Sequence, residues 1–249
     1  MSTVVALHSS GMSGRQWRSL AERLGQEHRV VTPDFIGSGS NPPWPDERPF
    51  HFREDVAEIA KLIASESEPV HLVGHSYGGF VALQLLLDAA TRARVRSFAV
   101  YDPVAFGVLA KDPDRPDSDL PFDDATGGDE AWFRVFVEWW NGKGAWDALP
   151  PPSRAQFLKV GRKVYWEVKS LVFDETPASA YAPFVGRALV LNGAKTPAPA
   201  RRVGELVAAA LPASERILVE GAGHMGPLTH ATVVNDAIAS HLAKVPLKT

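Results

Sequence analysis

Cysteine is absent from the 249 residues of this sequence. The absence excludes disulfides, thiolate metal sites and a cysteine nucleophile, and a cytoplasmic location is therefore expected by default. No run of about 18 apolar residues occurs, so the sequence predicts no membrane-spanning helix. The first residues, Met1–Leu7, carry neither the basic residues nor the cleavage site of a signal peptide.

Clustered positive charge is also missing. The 26 Lys and Arg against 29 Asp and Glu give a net charge of −3, and no basic patch predicts a nucleic-acid partner. The eight histidines show no His-Glu-x-x-His or related spacing, so we expect no metal. Gly37 and Gly39 lack the third glycine of a dinucleotide fingerprint, and no organic cofactor is expected either. Nothing in the sequence indicates an oligomeric state.

Apolar runs of strand length alternate with segments of helical period. The strand runs are continuous rather than alternating, which is typical of strands buried on both faces of a parallel sheet. Repeated strand–helix units predict an α/β fold with a doubly wound, mostly parallel sheet. The predicted strands are Thr3–His8, Arg29–Pro33, Val70–Gly74, Val95–Tyr101, Ala188–Asn192 and Arg216–Glu220, and the helices are Ser13–Gln26, Arg53–Ser65, Tyr77–Ala89, Ala200–Ala210 and Thr229–Leu242.

The alternation is interrupted between residues 103 and 183. We interpret this segment as a helical cap, and residues 1–102 and 184–249 as the core domain. Two helices are predicted in the cap, near Glu130–Asn141 and Ser153–Leu171. We expect the cap to have no core of its own, so that its aromatic side chains pack on the sheet domain or face a pocket. Five of the seven tryptophans lie here, which favours a small, apolar substrate: Trp132, Trp139, Trp140, Trp146 and Trp166.

One motif carries more chemical information than any other. The predicted strand ending at Gly74 runs into Gly-x-Ser-x-Gly, and a helical segment follows at Tyr77. A strand, a sharp turn and a helix around this pattern form a nucleophile elbow, which presents a strained serine at the end of the strand. Ser76 is therefore the candidate nucleophile. The alternative is a glycine-rich turn that only ends a strand.

A serine hydroxyl needs a base to remove its proton. His224 follows the last predicted strand, and loops at the carboxyl ends of parallel strands share one crevice. We therefore predict that His224 is the base, against the alternative of a loop histidine that caps the last helix. His8 and His75 lie near the same crevice, and we expect them to orient loops by hydrogen bonds.

The developing oxyanion needs hydrogen-bond donors. The backbone N–H of Tyr77, directly after the serine, is the first candidate. The second should come from the loop after the first strand, where we favour the N–H of Ser10 over that of Ser9. These serines could also cap the helix that begins near Ser13.

Four motifs together carry a resemblance to a known family: Leu7-His8-Ser9-Ser10-Gly11-Met12-Ser13 with Trp17, Asp34-Phe35-Ile36-Gly37-Ser38-Gly39-Ser40, Gly74-His75-Ser76-Tyr77-Gly78-Gly79 and Gly223-His224. With them, the chain resembles the α/β-hydrolase fold family along nearly its whole length. The motif that begins at Asp34 is similar to the family's Asp-x-x-Gly-x-Gly-x-Ser loop, whose aspartate is structural, so Asp34 is carried over as structural only. The resemblance implies an α/β-hydrolase fold with a cap.

The sequence departs from the family at the acid of the triad. Relatives carry an aspartate after the strand that follows the cap, where this chain has Thr196. Asp102 ends the strand before the cap, and some members, certain dehalogenases among them, take their acid from that position. We predict that Asp102 orients His224. The alternative is that Asp102 caps the following segment and no triad acid exists.

These residues predict a serine hydrolase that acts on an ester-like carbonyl through Ser76, His224 and Asp102 and an acyl-enzyme. A carboxylester is ranked first, and a lactone or a carbon–carbon bond β to a carbonyl comes next. Two other classes stay open: a cofactor-free lyase or oxygenase in which the same histidine moves a proton, and a non-catalytic receptor for a small molecule.

Overall fold

The computed structural model describes residues 1–45, 48–112 and 120–245. Within them, one sheet of six parallel strands is formed, in the order β2-β1-β3-β4-β5-β6. The strand order reverses between β1 and β3, and ligands of open α/β sheets bind in the crevice at such a point. The strands are β1 (Ser2–Leu7), β2 (His28–Val31), β3 (Val70–His75), β4 (Val95–Tyr101), β5 (Arg187–Gly193) and β6 (Ser214–Val219).

Helices cover both faces of the sheet, as the continuous apolar strands predict. In β1, Val5 and Leu7 belong to one buried layer, and Val4 and Ala6 belong to the other. The fold is thus an α/β fold with a doubly wound parallel sheet. Its α-helices include α1 (Arg18–Leu24), α2 (Phe52–Ser65), α3 (Tyr77–Leu85), α4 (Ala89–Ala93), α5 (Glu130–Asn141), α6 (Ala145–Ala148), α7 (Pro151–Lys159), α8 (Gly161–Val172), α9 (Ala198–Ala210), α10 (Gly226–Thr229) and α11 (Ala231–Ala243), and 3₁₀ turns span Gly14–Trp17, Phe106–Leu109 and Ala178–Tyr181.

Several predicted helices are divided. The segment Ser13–Gln26 begins as a 3₁₀ turn before α1, and Ser153–Leu171 is split into α7 and α8. At the start of α8, a side chain at Gly161 would overlap the backbone carbonyl of Gly128, so glycine allows these two segments to approach closely. The last predicted helix, Thr229–Leu242, corresponds to α11, and the short helix α10 precedes it.

The segment between β4 and β5 contains α5 to α8, with residues 113–119 outside the described part. The expectation that this segment has no core of its own is wrong. Trp132, Phe133, Trp146 and Tyr165 form a separate buried cluster, in which the rings of Phe133 and Trp146 stack with centroids 5.7 Å apart. Trp140, by contrast, packs against the core of the sheet domain. None of the helices within the described residues is long and apolar enough to cross a membrane.

Candidate active site

Ser76 lies in the turn between β3 and α3, with φ 54° and ψ −119°. A serine in this region of backbone space is strained, and close packing of the flanking glycines holds it there. A Cβ at Gly74 would lie 2.5 Å from the carbonyl oxygen of Gly78, and a Cβ at Gly78 would overlap the carbonyl of Leu7. The strand, the turn and the helix thus have the geometry of the predicted nucleophile elbow.

His224 lies in the loop between β6 and α10, five residues beyond the last residue of the strand. Its Nε2 is 2.9 Å from the Oγ of Ser76, and its ring is almost completely buried. The hydroxyl of Tyr101 donates a hydrogen bond of 2.7 Å to the carbonyl of Gly223, which holds this loop against the end of β4. The sheet therefore brings together two side chains that are 148 positions apart in the sequence.

Asp102 follows β4 directly and is fully buried, with an unusual φ of 43°. Its Oδ2 lies 3.1 Å from the Nδ1 of His224. Because Nδ1–H donates to this carboxylate, the lone pair of Nε2 faces the hydroxyl of Ser76. The carboxylate is oriented toward the histidine, as predicted for an acid taken from the strand before the cap.

Two further side chains fix this carboxylate. The Thr196 hydroxyl donates to Oδ2 at 2.7 Å, and the Asn192 side-chain amide donates to Oδ1 at 2.8 Å. Sequence analysis missed both. Thr196 occupies the position where relatives carry their acid, and here its hydroxyl bonds to Asp102 at the end of the neighbouring strand. The available signal was strand adjacency, since β5, which ends at Gly193, pairs with β4.

The sequence predicts that two backbone N–H groups bind an oxyanion. Tyr77 begins α3, where the first N–H groups of a helix have no intrahelical acceptor. The N–H of Ser9 donates to Oε1 of Gln16 at 3.0 Å, whereas no acceptor for the N–H of Ser10 occurs among the described residues. This geometry favours Ser10 over Ser9 as the second donor.

A cavity of about 420 Å³ opens onto Ser76 and His224. No Asp, Glu, Lys or Arg of the described residues lines it. The indole of Trp140 forms one wall and stacks on the imidazole of His224, with centroids 3.6 Å apart and planes at 17°. Most of the lining is apolar and comes from the segment between β4 and β5: Phe136, Val137, Trp140, Ala145, Ala148, Leu149 and Phe157, together with Met12, Met225 and Leu228 from the loops after β1 and β6 and from α10.

A buried charge cluster joins the cap to the elbow. Lys163 of α8 contacts Asp55 of α2 at 2.9 Å and also pairs with Glu167 on its own helix. The Tyr77 hydroxyl donates to the same Asp55 carboxylate at 2.8 Å. The shared carboxylate of Asp55 therefore links α8 to the Tyr77 side chain at the start of α3. No sequence signal marked this cluster, because its contacts depend on how α8 packs against α2.

This cluster predicts a pH-dependent stability. Burial raises the pKa of Glu167 from about 4.5 to about 7, although Lys163 opposes the shift. The folded protein therefore binds a proton that the unfolded chain releases, and the free energy of unfolding falls as pH rises from about 4.5 to about 7. Glu167→Gln should remove this slope, on the order of 3 kcal/mol in all. Urea unfolding at several pH values measures it.

The control for this variant is Glu58→Gln, which removes an exposed carboxylate. This variant should keep the slope of the wild type. A Glu167→Gln protein with an unchanged slope between these pH values would assign the pH dependence to other groups.

The remaining histidines near the crevice hold loops. Nδ1 of His8 lies 2.8 Å from the carbonyl of Ser9, and Nε2 of His75 lies 2.8 Å from the carbonyl of His224. Asp34, expected to be structural, accepts hydrogen bonds from the backbone of Gly14 and Ser40. Across the described part of the chain, no three His, Asp or Glu side chains are grouped closely enough to hold a metal ion.

The sequence profile described as the alpha/beta hydrolase family matches residues 4–237. This chain belongs to the alpha/beta hydrolase family. Lipase LipV of Mycobacterium tuberculosis is 28% identical to it over 253 residues, which cover 96% of this chain and 92% of the lipase. The putative carbamate hydrolase RutD of Yersinia enterocolitica is 38% identical over 87 residues, about a third of either protein (34% and 31%).

Solved structures share the fold of this family member. A bromoperoxidase from Bacillus anthracis covers 98% of the chain with a TM-score of 0.76 and 22% identity, and 92% of that protein is matched. A hydrolase from Oleispira antarctica, olei00960, matches with a TM-score of 0.78 and 17% identity over 98% of this chain and 92% of its own. Because both identities are low, these likenesses establish the fold alone.

Proposed function

We propose that this alpha/beta hydrolase is a serine hydrolase that cleaves ester-like substrates through an acyl-enzyme. Ser76 is the nucleophile, His224 the general base and Asp102 the acid that orients it. The observation that carries the proposal is the continuous line of hydrogen bonds, 2.9 Å from Ser76 to His224 and 3.1 Å from His224 to Asp102. The strained turn at Ser76 adds support, because it exposes the hydroxyl next to the amino end of α3.

In the first half-reaction, Nε2 of His224 removes the proton of the Ser76 hydroxyl as Oγ bonds to the carbonyl carbon. The carbonyl oxygen becomes an oxyanion, which accepts hydrogen bonds from the N–H groups of Tyr77 and Ser10. The tetrahedral intermediate then expels the alcohol, which takes the proton from His224. Asp102 stabilises the imidazolium that exists between these two proton transfers and keeps its own charge.

In the second half-reaction, His224 removes a proton from a water molecule, whose oxygen attacks the acyl-enzyme. The same two N–H groups hold the second oxyanion. The intermediate collapses to a carboxylic acid, and the proton on His224 returns to Oγ of Ser76. The reaction thus consumes one ester and one water and releases one alcohol and one acid, with the enzyme unchanged.

The substrate is expected to be uncharged near its reacting carbonyl. The cavity beside Ser76 holds about 420 Å³ and is lined by aromatic and aliphatic side chains without a cation. An ester with an apolar acyl group fits this lining, whereas a carboxylate placed there would lose its hydration without gaining a partner. The names of two relatives agree with ester cleavage: the lipase LipV and the pimeloyl-[acyl-carrier protein] methyl ester esterase of Aeromonas hydrophila.

A pair of esters that differ only in charge tests this. We expect p-nitrophenyl hexanoate to be hydrolysed with a kcat/KM at least about 100-fold above that of mono-p-nitrophenyl adipate, whose chain of the same length ends in a carboxylate. Initial rates of p-nitrophenol release measure both. Equal values, or a preference for the adipate, would contradict a neutral acyl site.

The other candidate functions predict different results. A lyase or oxygenase that uses His224 alone forms no acyl-enzyme, so mass spectrometry would find no acyl group on Ser76 after mixing with ester. A carbon–carbon bond hydrolase would turn over β-diketones faster than matched esters. A receptor would bind a small molecule saturably without turnover of any member of the panel.

A further inference from the structure

One side chain connects the two loops that the proposed mechanism depends on. Gln16 lies in the 3₁₀ turn Gly14–Trp17, just beyond the loop after β1. Its Oε1 accepts two hydrogen bonds from Ser9, from the backbone N–H and from the hydroxyl, both at 3.0 Å. Because Oε1 is the acceptor end of the amide, the Nε2 group must be the one that faces His75, where it lies 3.0 Å from Nδ1.

The direction of the next bond follows from the first. Nε2–H of Gln16 is a donor, so Nδ1 of His75 accepts and carries no proton. Complete burial lowers the pKa of His75 well below 6.5, which keeps the ring neutral with one proton, on Nε2. That proton is donated to the backbone carbonyl of His224 at 2.8 Å. These hydrogen bonds form a relay, Ser9→Gln16→His75→His224, in which each residue donates to the next.

We propose that Gln16 and His75 are positioning residues that hold the oxyanion loop and the His224 loop at a fixed separation. This inference rests on the proposed function, because the separation of the two loops affects the rate only if both loops act in the proposed mechanism. Neither side chain lines the cavity beside Ser76. Both act through the loops that they join, and neither is a catalytic residue.

The separation matters because both loops act on one tetrahedral intermediate. The N–H of Ser10, directly after Ser9, would bind the oxyanion while Nε2 of His224 carries the proton. A misplacement of about 1 Å between such groups costs roughly 100-fold in rate. The ring of His75 also packs beside that of His224, with centroids 5.0 Å apart. The relay thus acts on the transition state more than on substrate binding.

The test uses two variants that break different bonds of the relay. Gln16→Met keeps the size of the side chain and removes both ends of the amide. His75→Asn keeps a polar atom near the position of Nδ1 and lacks the donor that reaches His224. The matched control is His71→Asn, which removes a buried histidine on the same strand that bonds to Ser97 instead.

We expect each relay variant to lose roughly 10- to 100-fold in kcat with KM changed less than about threefold. Rates are divided by the active sites counted with a fluorophosphonate. Affinity for a trifluoromethyl ketone, whose adduct with Ser76 mimics the oxyanion, should fall in parallel with kcat. The double variant should be within about threefold of the worse single variant, since one break already opens the chain. The His71→Asn control should keep its kcat per active site.

Three results would overturn the relay. One is a kcat within about threefold of the wild type in both variants. Another is losses that multiply in the double variant, as two independent packing defects would give. The third needs no variant: ¹⁵N NMR of the wild type should show His75 protonated on Nε2, and a proton on Nδ1 instead reverses the deduced polarity. Failure of the proposed function looks different, because the wild type itself would then neither turn over esters nor react with the fluorophosphonate.

Discussion

Ser76→Ala should reduce kcat for activated aryl esters by roughly 10⁶-fold, the size of effect seen when the nucleophile of a serine hydrolase is removed. The reason is geometric. Ser76 is the hydroxyl that lies 2.9 Å from Nε2 of His224, and an alanine leaves that base without a proton to remove. Labelling by a fluorophosphonate should vanish at the same time. Stopped assays at high enzyme concentration, with the label read by intact mass, measure both losses.

The matched control is Ser97→Ala, because Ser97 is also a fully buried serine of the sheet, bonded to His71 and outside the cavity. It should keep both labelling and kcat per active site. Ester turnover by Ser76→Ala at more than about a hundredth of the wild-type rate would mean that His224 activates water or a substrate proton directly. That outcome would favour the lyase or oxygenase alternative over the acyl-enzyme.

The elbow and the sheet could be predicted because their causes are local. Continuous apolar runs predict buried parallel strands, and β1 and β3 begin and end within one residue of their predicted bounds. The glycines at positions 74 and 78 predict the turn at Ser76, because only a missing side chain allows the backbones to meet. Parallel strands place their carboxyl ends at one edge, which is why His224 could be paired with Ser76 from sequence order alone.

The contacts that complete the site could not be predicted, because they depend on how helices pack. Sequence periodicity places Trp140 on a helix, but it gives no sign that this tryptophan stacks on His224 while Trp146 is buried in the cap. The position of Lys163 could not be predicted either. A lysine is usually exposed, but this one is almost completely buried between two carboxylates. Long-range contacts of this kind carry no local pattern.

The stack of Trp140 on His224 makes the cap part of the proposed catalytic machinery. One face of the imidazole is covered by an indole that belongs to α5, and the Ser76 side of the ring faces the cavity. A face of an aromatic ring attracts a cation, so the same contact that excludes water would favour the imidazolium formed in the reaction.

Asp102→Asn should reduce kcat by roughly 10⁴-fold, as loss of the orienting carboxylate does in the Ser-His-Asp enzymes. The neighbours of Asp102 make this chain especially sensitive. Thr196 and Asn192 both donate to the carboxylate, and the carbonyl oxygen of the Asn192 side chain is already used by Arg216 at 3.3 Å. An asparagine cannot accept on both sides at once. An asparagine that turns its NH₂ toward His224 forces the tautomer with a proton on Nε2, which cannot take the proton of Ser76.

The measurement is kcat per active site with p-nitrophenyl hexanoate, with Asp34→Asn as the control. Asp34 is a structural carboxylate of the same crevice, and its loss should change kcat per active site by less than about tenfold. Thr196→Val distinguishes the charge of Asp102 from the hydrogen bond that it accepts from Thr196. This variant removes the hydrogen bond and leaves the charge. We expect it to lower kcat far less than Asp102→Asn does. A kcat for Asp102→Asn within about threefold of the wild type would remove this residue from the mechanism and leave a Ser-His pair that works without an acid.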